Sequence, residues 1–182
     1  MAAAALVALA VLVWWTRRPV LVVVNTTADD GISVLVDGST VASNVARAPR
    51  EAATAVQRVR VGAGVHRIEA RDRSGKVVEV FEAELRGGGP AYLYAPAHPP
   101  ETCFFVQRDE YRTDATAPAS IGEPIVKLDP KQSFWPLAEP IDFWFQDSPS
   151  DITVQKDKAG ENGSVVRRAL RQAPCDDPAF AP

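Results

Sequence analysis

Histidine and cysteine are scarce in this sequence, which has two of each among its 182 residues. The two cysteines, Cys103 and Cys175, are too far apart for a Cys-x-x-Cys redox motif or a thiol-based zinc site. Neither His66 nor His98 has a further ligand residue at the spacing a metal site needs, so the sequence predicts no metal and no cofactor. A single Cys103–Cys175 disulfide and two unrelated thiols are both consistent with the sequence.

Charge of one sign is also lacking, because the net charge is only −3. The arginines of residues 17–86 are not concentrated as a nucleic-acid footprint would be, so no nucleic-acid partner is predicted. The glycine-rich segments 62–64 and 87–89 do not open helices, and therefore lack the aligned amides that cradle phosphate. They are predicted to be turns.

Catalytic patterns are equally sparse. Ser39 has no nucleophile elbow around it. The carboxylate pairs Asp109 with Glu110 and Asp142 with Asp147 are the candidates for a hydrolase acting on envelope polymers, but neither differs from solvated strand edges. The sequence therefore predicts a protein that is not an enzyme.

An apolar run occupies residues 2–15 and ends in Trp14 and Trp15, followed by Thr16 and two arginines. As a helix, these fourteen residues would span roughly 21 Å, short of the ~30 Å bilayer core. Tryptophan and arginine pairs are typical of a headgroup boundary, so we expect residues 1–18 to be a single transmembrane anchor that lacks its upstream residues, with residues 2–15 contacting the bilayer. A signal peptide and a helix packed on a soluble core are the alternatives.

The side of the membrane is not fixed by this pattern. Arg17 and Arg18 would hold the following domain in the cytoplasm by the positive-inside rule, but missing upstream basic residues would reverse this count. A single-pass protein with a periplasmic or extracellular domain is slightly favoured.

The rest of the sequence is rich in turn residues and in β-branched residues, and several segments alternate between apolar and polar residues. Val20–Val24 reads as a strand buried on both faces, and Asp37-Gly38 reads as a hairpin turn. Residues 76–85 alternate, which predicts Val77, Phe81, Ala83 and Leu85 inside and Glu82 and Glu84 outside. Seven or eight short strands by residue 111 indicate an all-β, antiparallel β-sandwich of immunoglobulin-like type over residues 19–112, preceded by the transmembrane helix.

The last third is less regular. Residues 113–172 are expected to form an irregular β extension, rich in proline and aromatic residues, that packs on the sandwich. Residues 173–182 are expected to be a disordered tail. Four aromatic residues of this region are the candidates for a binding platform for a glycan or a protein partner, with core packing as the alternative: Phe134, Trp135, Phe143 and Trp144.

Three turn motifs resemble the PEGA-type domains of bacterial surface proteins. The matching residues are Val36-Asp37-Gly38, Gly64-Val65-His66, and the strand from Ile68 to Arg71 that leads into Ser74-Gly75. The resemblance covers residues 34–84, and Gly62-Ala-Gly64 stands where the family has its Pro-Gly turn. It implies a small β-sandwich module that serves as a structural or carbohydrate-associated appendage of the envelope, without catalytic residues.

These features together predict a non-catalytic, membrane-anchored envelope protein with a structural or recognition domain. The alternatives are a sensory or assembly domain of a larger membrane protein and a hydrolase of envelope polymers.

Overall fold

A computed structural model describes residues 17–27, 30–48, 56–89, 91–112, 125–146, 148–149, 152 and 164–180. Within these ranges the regular structure consists of twelve strands and one short 3-10 helix, Pro178–Phe180. The strands are β1 Val20–Val24, β2 Ile32–Val36, β3 Ser39–Val45, β4 Val56–Arg60, β5 Gly64–Arg71, β6 Val77–Leu85, β7 Tyr92–Tyr94, β8 Thr102–Arg112, β9 Val126–Lys127, β10 Phe134–Pro136, β11 Phe143–Trp144 and β12 Ser164–Pro174. The predicted all-β class is confirmed.

The strands belong to two compact units that alternate along the chain. Unit 1 comprises Met1–Arg47, Val56–Ala97 and Ser133–Glu139, and unit 2 comprises Ala48–Ala55, His98–Gln132 and Pro140–Pro182. The predicted boundary near residue 112 does not coincide with this division, because β8 joins the C-terminal strands and β10 joins the first unit. The sequence signal failed here because strand pairing between distant segments leaves no mark on local periodicity.

Unit 1 contains two four-stranded sheets, ordered β10-β7-β1-β4 and β3-β2-β5-β6. Neighbouring strands are antiparallel except for β1 and β7, which are parallel. One hydrophobic cluster draws buried residues from both sheets, including Leu21 and Tyr94 from the first and Val34, Ile68 and Leu85 from the second. The two sheets therefore share a single core.

The strand β1 is buried along both of its faces, as predicted. Leu21 and Val23 join the shared core, and Val22 and Val24, which point the opposite way, are also almost fully buried. An uninterrupted apolar run is what such an environment requires.

A bulge shifts the predicted alternation of β6. Glu79 lies opposite Ala70, but Val77 lies opposite Arg71, so one extra residue is inserted between them. Phe81, Ala83 and Leu85 face the core as predicted, whereas the expectation for Val77 is wrong, since its side chain is 43% exposed. Glu79 occupies the next inward position instead.

Unit 2 is built on the long antiparallel pair of β8 and β12, which align eleven residue pairs from Thr102–Pro174 to Arg112–Ser164. The strands β9 and β11 add to its two edges. The expectation of a disordered tail from residue 173 is wrong for residues 173–180, because β12 runs to Pro174 and the Phe180 ring stacks on Phe105 with centroids 4.8 Å apart.

The predicted anchor lies largely outside the described residues, which begin at Arg17. Among the residues that the structure describes, no helix has the length and apolar character needed to cross a bilayer.

Candidate functional site

The chain enters unit 1 through two backbone hydrogen bonds that fix the residues before β1. The Gly88 amide donates to the Arg17 carbonyl at 2.7 Å, and the Val61 amide donates to the Pro19 carbonyl at 3.1 Å. A β-carbon on Gly87 would lie 2.8 Å from the Arg17 oxygen, closer than side chains tolerate. The glycine turn predicted at residues 87–89 therefore fixes the position of Arg17, just before β1.

Strand register brings further segments to the same end of unit 1. Gly64 at the start of β5 pairs with Leu85 at the end of β6, and the Leu137 amide donates to the Ala91 carbonyl at 2.9 Å. We call this region the Arg17 end and define it by residues 17–19, 37–38, 60–67, 84–89 and 137–139.

A shallow groove of about 560 Å³ opens beside the glycine turn. Its aromatic wall consists of Tyr92 and Phe134, whose rings stack with centroids 5.4 Å apart. The Tyr92 hydroxyl accepts a hydrogen bond from the Arg86 amide at 2.8 Å, which fixes the ring against the turn. The groove is lined by Glu84, Arg86, residues 87–89, Tyr92, Phe134 and Pro136.

Two of the turn motifs meet at His66. The Nδ1 atom of His66 lies 2.7 Å from Asp37 Oδ2, and its Nε2 atom lies 2.9 Å from the Gly62 carbonyl oxygen. Each ring nitrogen of His66 therefore has a polar partner, a carboxylate on one side and a backbone carbonyl on the other. The hydrogen bond from His66, followed by one from the Arg67 amide, lowers the pKa of Asp37. His66 is therefore a hydrogen-bonded strand residue.

The two cysteines, which the sequence leaves open, form a disulfide across 72 residues. Cys103 is fully buried and packs with Phe105 and Ala173, while Phe180 packs against this cluster from the 3-10 helix. The bond joins Cys103, the second residue of β8, to Cys175, the residue that follows β12. It therefore locks the end of the longest strand pair in unit 2.

Glu79 is a partly buried carboxylate on the inward face of β6 that the sequence reasoning missed. Its carboxylate accepts hydrogen bonds from the Ser133 hydroxyl and from the Ala97 amide, the latter at 3.0 Å. The Tyr94 hydroxyl is 3.5 Å away, and burial followed by this carboxylate raises the pKa of Tyr94 well above its usual range. Counting back by twos from Leu85 reaches this position, so the signal was present in the sequence.

The chain matches no family model, no curated protein and no solved structure. Inference about its function therefore depends on its own residues.

The four aromatic residues predicted as a platform do not lie on one sheet. Phe134 and Trp135 are on β10 in unit 1, whereas Phe143 and Trp144 are on β11 in unit 2. Trp135 and Trp144 are only 4% and 5% exposed. Since a platform needs accessible ring faces, these two tryptophans serve packing rather than an exposed glycan or protein site.

The carboxylate pairs considered for hydrolysis are not assembled as pairs. Asp109 and Glu110 are consecutive on β8, so their side chains point to opposite faces of the sheet. Asp142 accepts hydrogen bonds from the Arg167 guanidinium and the Arg168 amide, at 3.1 and 2.9 Å. Asp147 lies outside the described residues.

The remaining histidine, His98, packs against an aromatic ring. The His98 ring stacks on Phe104 with centroids 4.7 Å apart, and burial lowers its pKa. No group of three or more His, Cys, Asp or Glu side chains is placed to hold a metal ion in the part of the chain that the structure describes.

Proposed function

We propose that this chain is a non-catalytic, membrane-anchored protein of the cell envelope whose two β units lie outside the cytoplasm. Residues 2–15 are its contact with the bilayer, and unit 1 is a structural or recognition module of β-sandwich type. The observation that carries the proposal is the Cys103–Cys175 disulfide.

The disulfide supports the outer location because such bonds persist in oxidising compartments and are rare in the cytosol. The Arg17-Arg18 pair favours the opposite orientation by the positive-inside rule. That rule compares the basic residues on both sides of the span, and these are two residues on one side only. The covalent bond bears directly on the compartment in which the chain folds, so it has the greater weight.

The absence of catalysis is supported by how the candidate residues are used. The ring nitrogens of His66 both have acceptors within 3 Å, and the Asp142 carboxylate is held by two donors. Neither group is left available as a general base. The groove of unit 1 has an aromatic wall and a single ion pair at its rim, which suits contact with a surface better than bond cleavage.

The PEGA-type resemblance is consistent with this proposal. Its range, residues 34–84, corresponds to the strands β2 to β6, and two of its turn motifs are joined by the Asp37–His66 hydrogen bond. A module stabilised by turn chemistry in this way would serve as an envelope appendage.

The test is the redox state and the compartment of the chain in intact cells. Cells expressing the full chain are treated with a membrane-impermeant maleimide before and after mild reduction, and the mass of the protein is measured without reductant. We expect no labelling before reduction and at least one label after it, on the partly exposed Cys175, since Cys103 is fully buried; the C103A/C175A variant is the unlabelled control. Free thiols before reduction, or thiols that become reactive only after cell lysis, would refute the outer location.

The anchor is tested separately by extraction of the membrane fraction. We expect the full chain to require detergent, and a variant without residues 1–16 to appear in the soluble fraction with a β-type circular dichroism spectrum. Release of the full chain by carbonate washing alone would contradict the anchor.

A further inference from the structure

The Arg17 end carries the most exposed large hydrophobic side chain of the described residues. Val65, near the start of β5, is 69% exposed, compared with 54% for the next residue of this kind. Exposure of one valine is ordinary by itself. Val65 is of interest because it lies at the same end of unit 1 as Arg17, which directly follows the predicted membrane anchor.

The linker between the apolar run and unit 1 is extremely short. The run ends at Trp15, and the Arg17 carbonyl is already bound to the Gly88 amide. The α-carbons of Trp15 and Arg17 can be at most about 7 Å apart. If residues 2–15 lie in the bilayer, Arg17 must then lie close to the lipid headgroups, and the rest of the Arg17 end is within reach of them.

Charge at this end suits a negatively charged surface. It carries five arginines against three acidic residues: Arg17, Arg18, Arg60, Arg67 and Arg86 against Asp37, Glu84 and Glu139. The Glu84 carboxylate is paired with Arg86 at 2.8 Å, Asp37 is occupied by His66, and Arg67 is paired with Glu69 at 3.1 Å, which leaves Arg17, Arg18 and Arg60 as the arginines that carry the excess. The excess of arginine faces outward, since all but Arg18 among the five are exposed.

We propose that the Arg17 end of unit 1 docks on the surface of an anionic bilayer, with Val65 at the boundary between headgroups and acyl chains and the arginines against lipid phosphates. This inference rests on the proposed membrane anchor. Arginine near an anionic leaflet is attracted to it, and apolar side chains gain from burial at the interface. The β unit is thereby held at a fixed orientation on the membrane rather than swinging on its tether.

The test uses the full chain in vesicles of phosphatidylcholine alone or with about 30 mol% phosphatidylglycerol, a fraction that gives a marked surface potential. A fluorophore is attached at V65C, and the control is S74C in the turn at the other end of β5, about 25 Å away. Headgroup-quencher lipid is included in both preparations. We expect fluorescence at position 65 to fall by about half or more in anionic vesicles, because an interfacial residue lies within 5–10 Å of the headgroups. Fluorescence at position 74 should stay unchanged.

A second pair of variants tests the role of charge. R60E should weaken the quenching at position 65 in anionic vesicles, whereas R73E, in the turn beside Ser74, should leave it unchanged. Vesicle flotation is measured for every sample. Chains that float but show equal quenching at positions 65 and 74 would overturn the docking and leave the anchor intact. Shielding of position 65 in detergent as well as in vesicles would also overturn it, and would indicate a protein partner or a second copy. Failure of the full chain to float would refute the anchor itself.

Discussion

Removing the Cys103–Cys175 bond should lower the stability of unit 2 by an amount that its loop length sets. The bond closes a loop across 72 residues. In the chain-entropy treatment, this closure reduces the entropy of the unfolded chain by about 15 cal/mol/K, which corresponds to about 4 kcal/mol at room temperature. Because a domain is stabilised by only about 5–15 kcal/mol in total, the loss would be a large share of its stability.

The assay is urea denaturation of the oxidised protein, the reduced protein and the C103A/C175A variant. With a slope near 2 kcal/mol per molar urea, we expect the midpoint to fall by about 2 M on reduction. The variant should unfold at the lower midpoint and should not respond to reductant, which controls for effects of the reductant elsewhere. Amide hydrogen exchange should locate the loss of protection in β8 and β12. An unchanged midpoint after complete reduction would refute the reasoning, because the bond would then constrain nothing that unfolds.

Three further outcomes follow from contacts in unit 1. Because the hydrogen bond from His66 lowers the pKa of Asp37 in the folded state, the stabilisation is complete above the ordinary value of 3.8 and is lost as pH falls below it. D37N should therefore reduce the decline of Tm with acid below about pH 4. G87A should cost about 1–3 kcal/mol, since its β-carbon would meet backbone, whereas G89A, with an ordinary 3.7 Å contact, should be nearly neutral; both are read by thermal denaturation. W135A should cost about 3–5 kcal/mol in chemical denaturation, because this side chain is buried.

Each of these outcomes has a contrary result. A D37N protein with an unchanged acid profile would show that the turn contact contributes nothing to folding. Equal losses of stability in G87A and G89A would show that the close contact between Gly87 and the Arg17 carbonyl does not stabilise unit 1. A W135A protein of normal stability would reopen the case for a binding role of that ring.

Most strands of unit 1 were predictable because their signals are local. The uninterrupted apolar run at Val20–Val24 predicts a strand that is buried on both faces. The turn at Asp37-Gly38 predicts where one strand ends and the next begins. The inward face of β6 was predicted correctly from Phe81 onward and incorrectly at Val77. A bulge adds a single residue to one strand, and the partner strand that reveals it is not adjacent in sequence.

The division into units and the fate of the aromatic residues were not predictable. Trp135 and Trp144 are nine residues apart in similar surroundings, yet they lie in different sheets. Their strands are only two or three residues long, too short for periodicity to indicate a partner. The Cys103–Cys175 pairing was equally undetermined, because β12 becomes an ordered strand through its eleven pairs with β8. The exposure of Val65 required the structure, since its motif suggested only a turn.

The interleaving of the units sets an order of events during synthesis. The last segment of unit 1 ends at Glu139, so its sheets can be complete while the ribosome is still adding the rest of the chain. The strand β8 is synthesised before its partner β12, and Cys103 before Cys175, so neither pair can form until residues 164–175 have emerged. Until then the edge of β8 that pairs with β12 and the thiol of Cys103 lack their partners, which is a period of vulnerability to aggregation. Within residues 1–182, Cys175 is the one other cysteine with which Cys103 can pair.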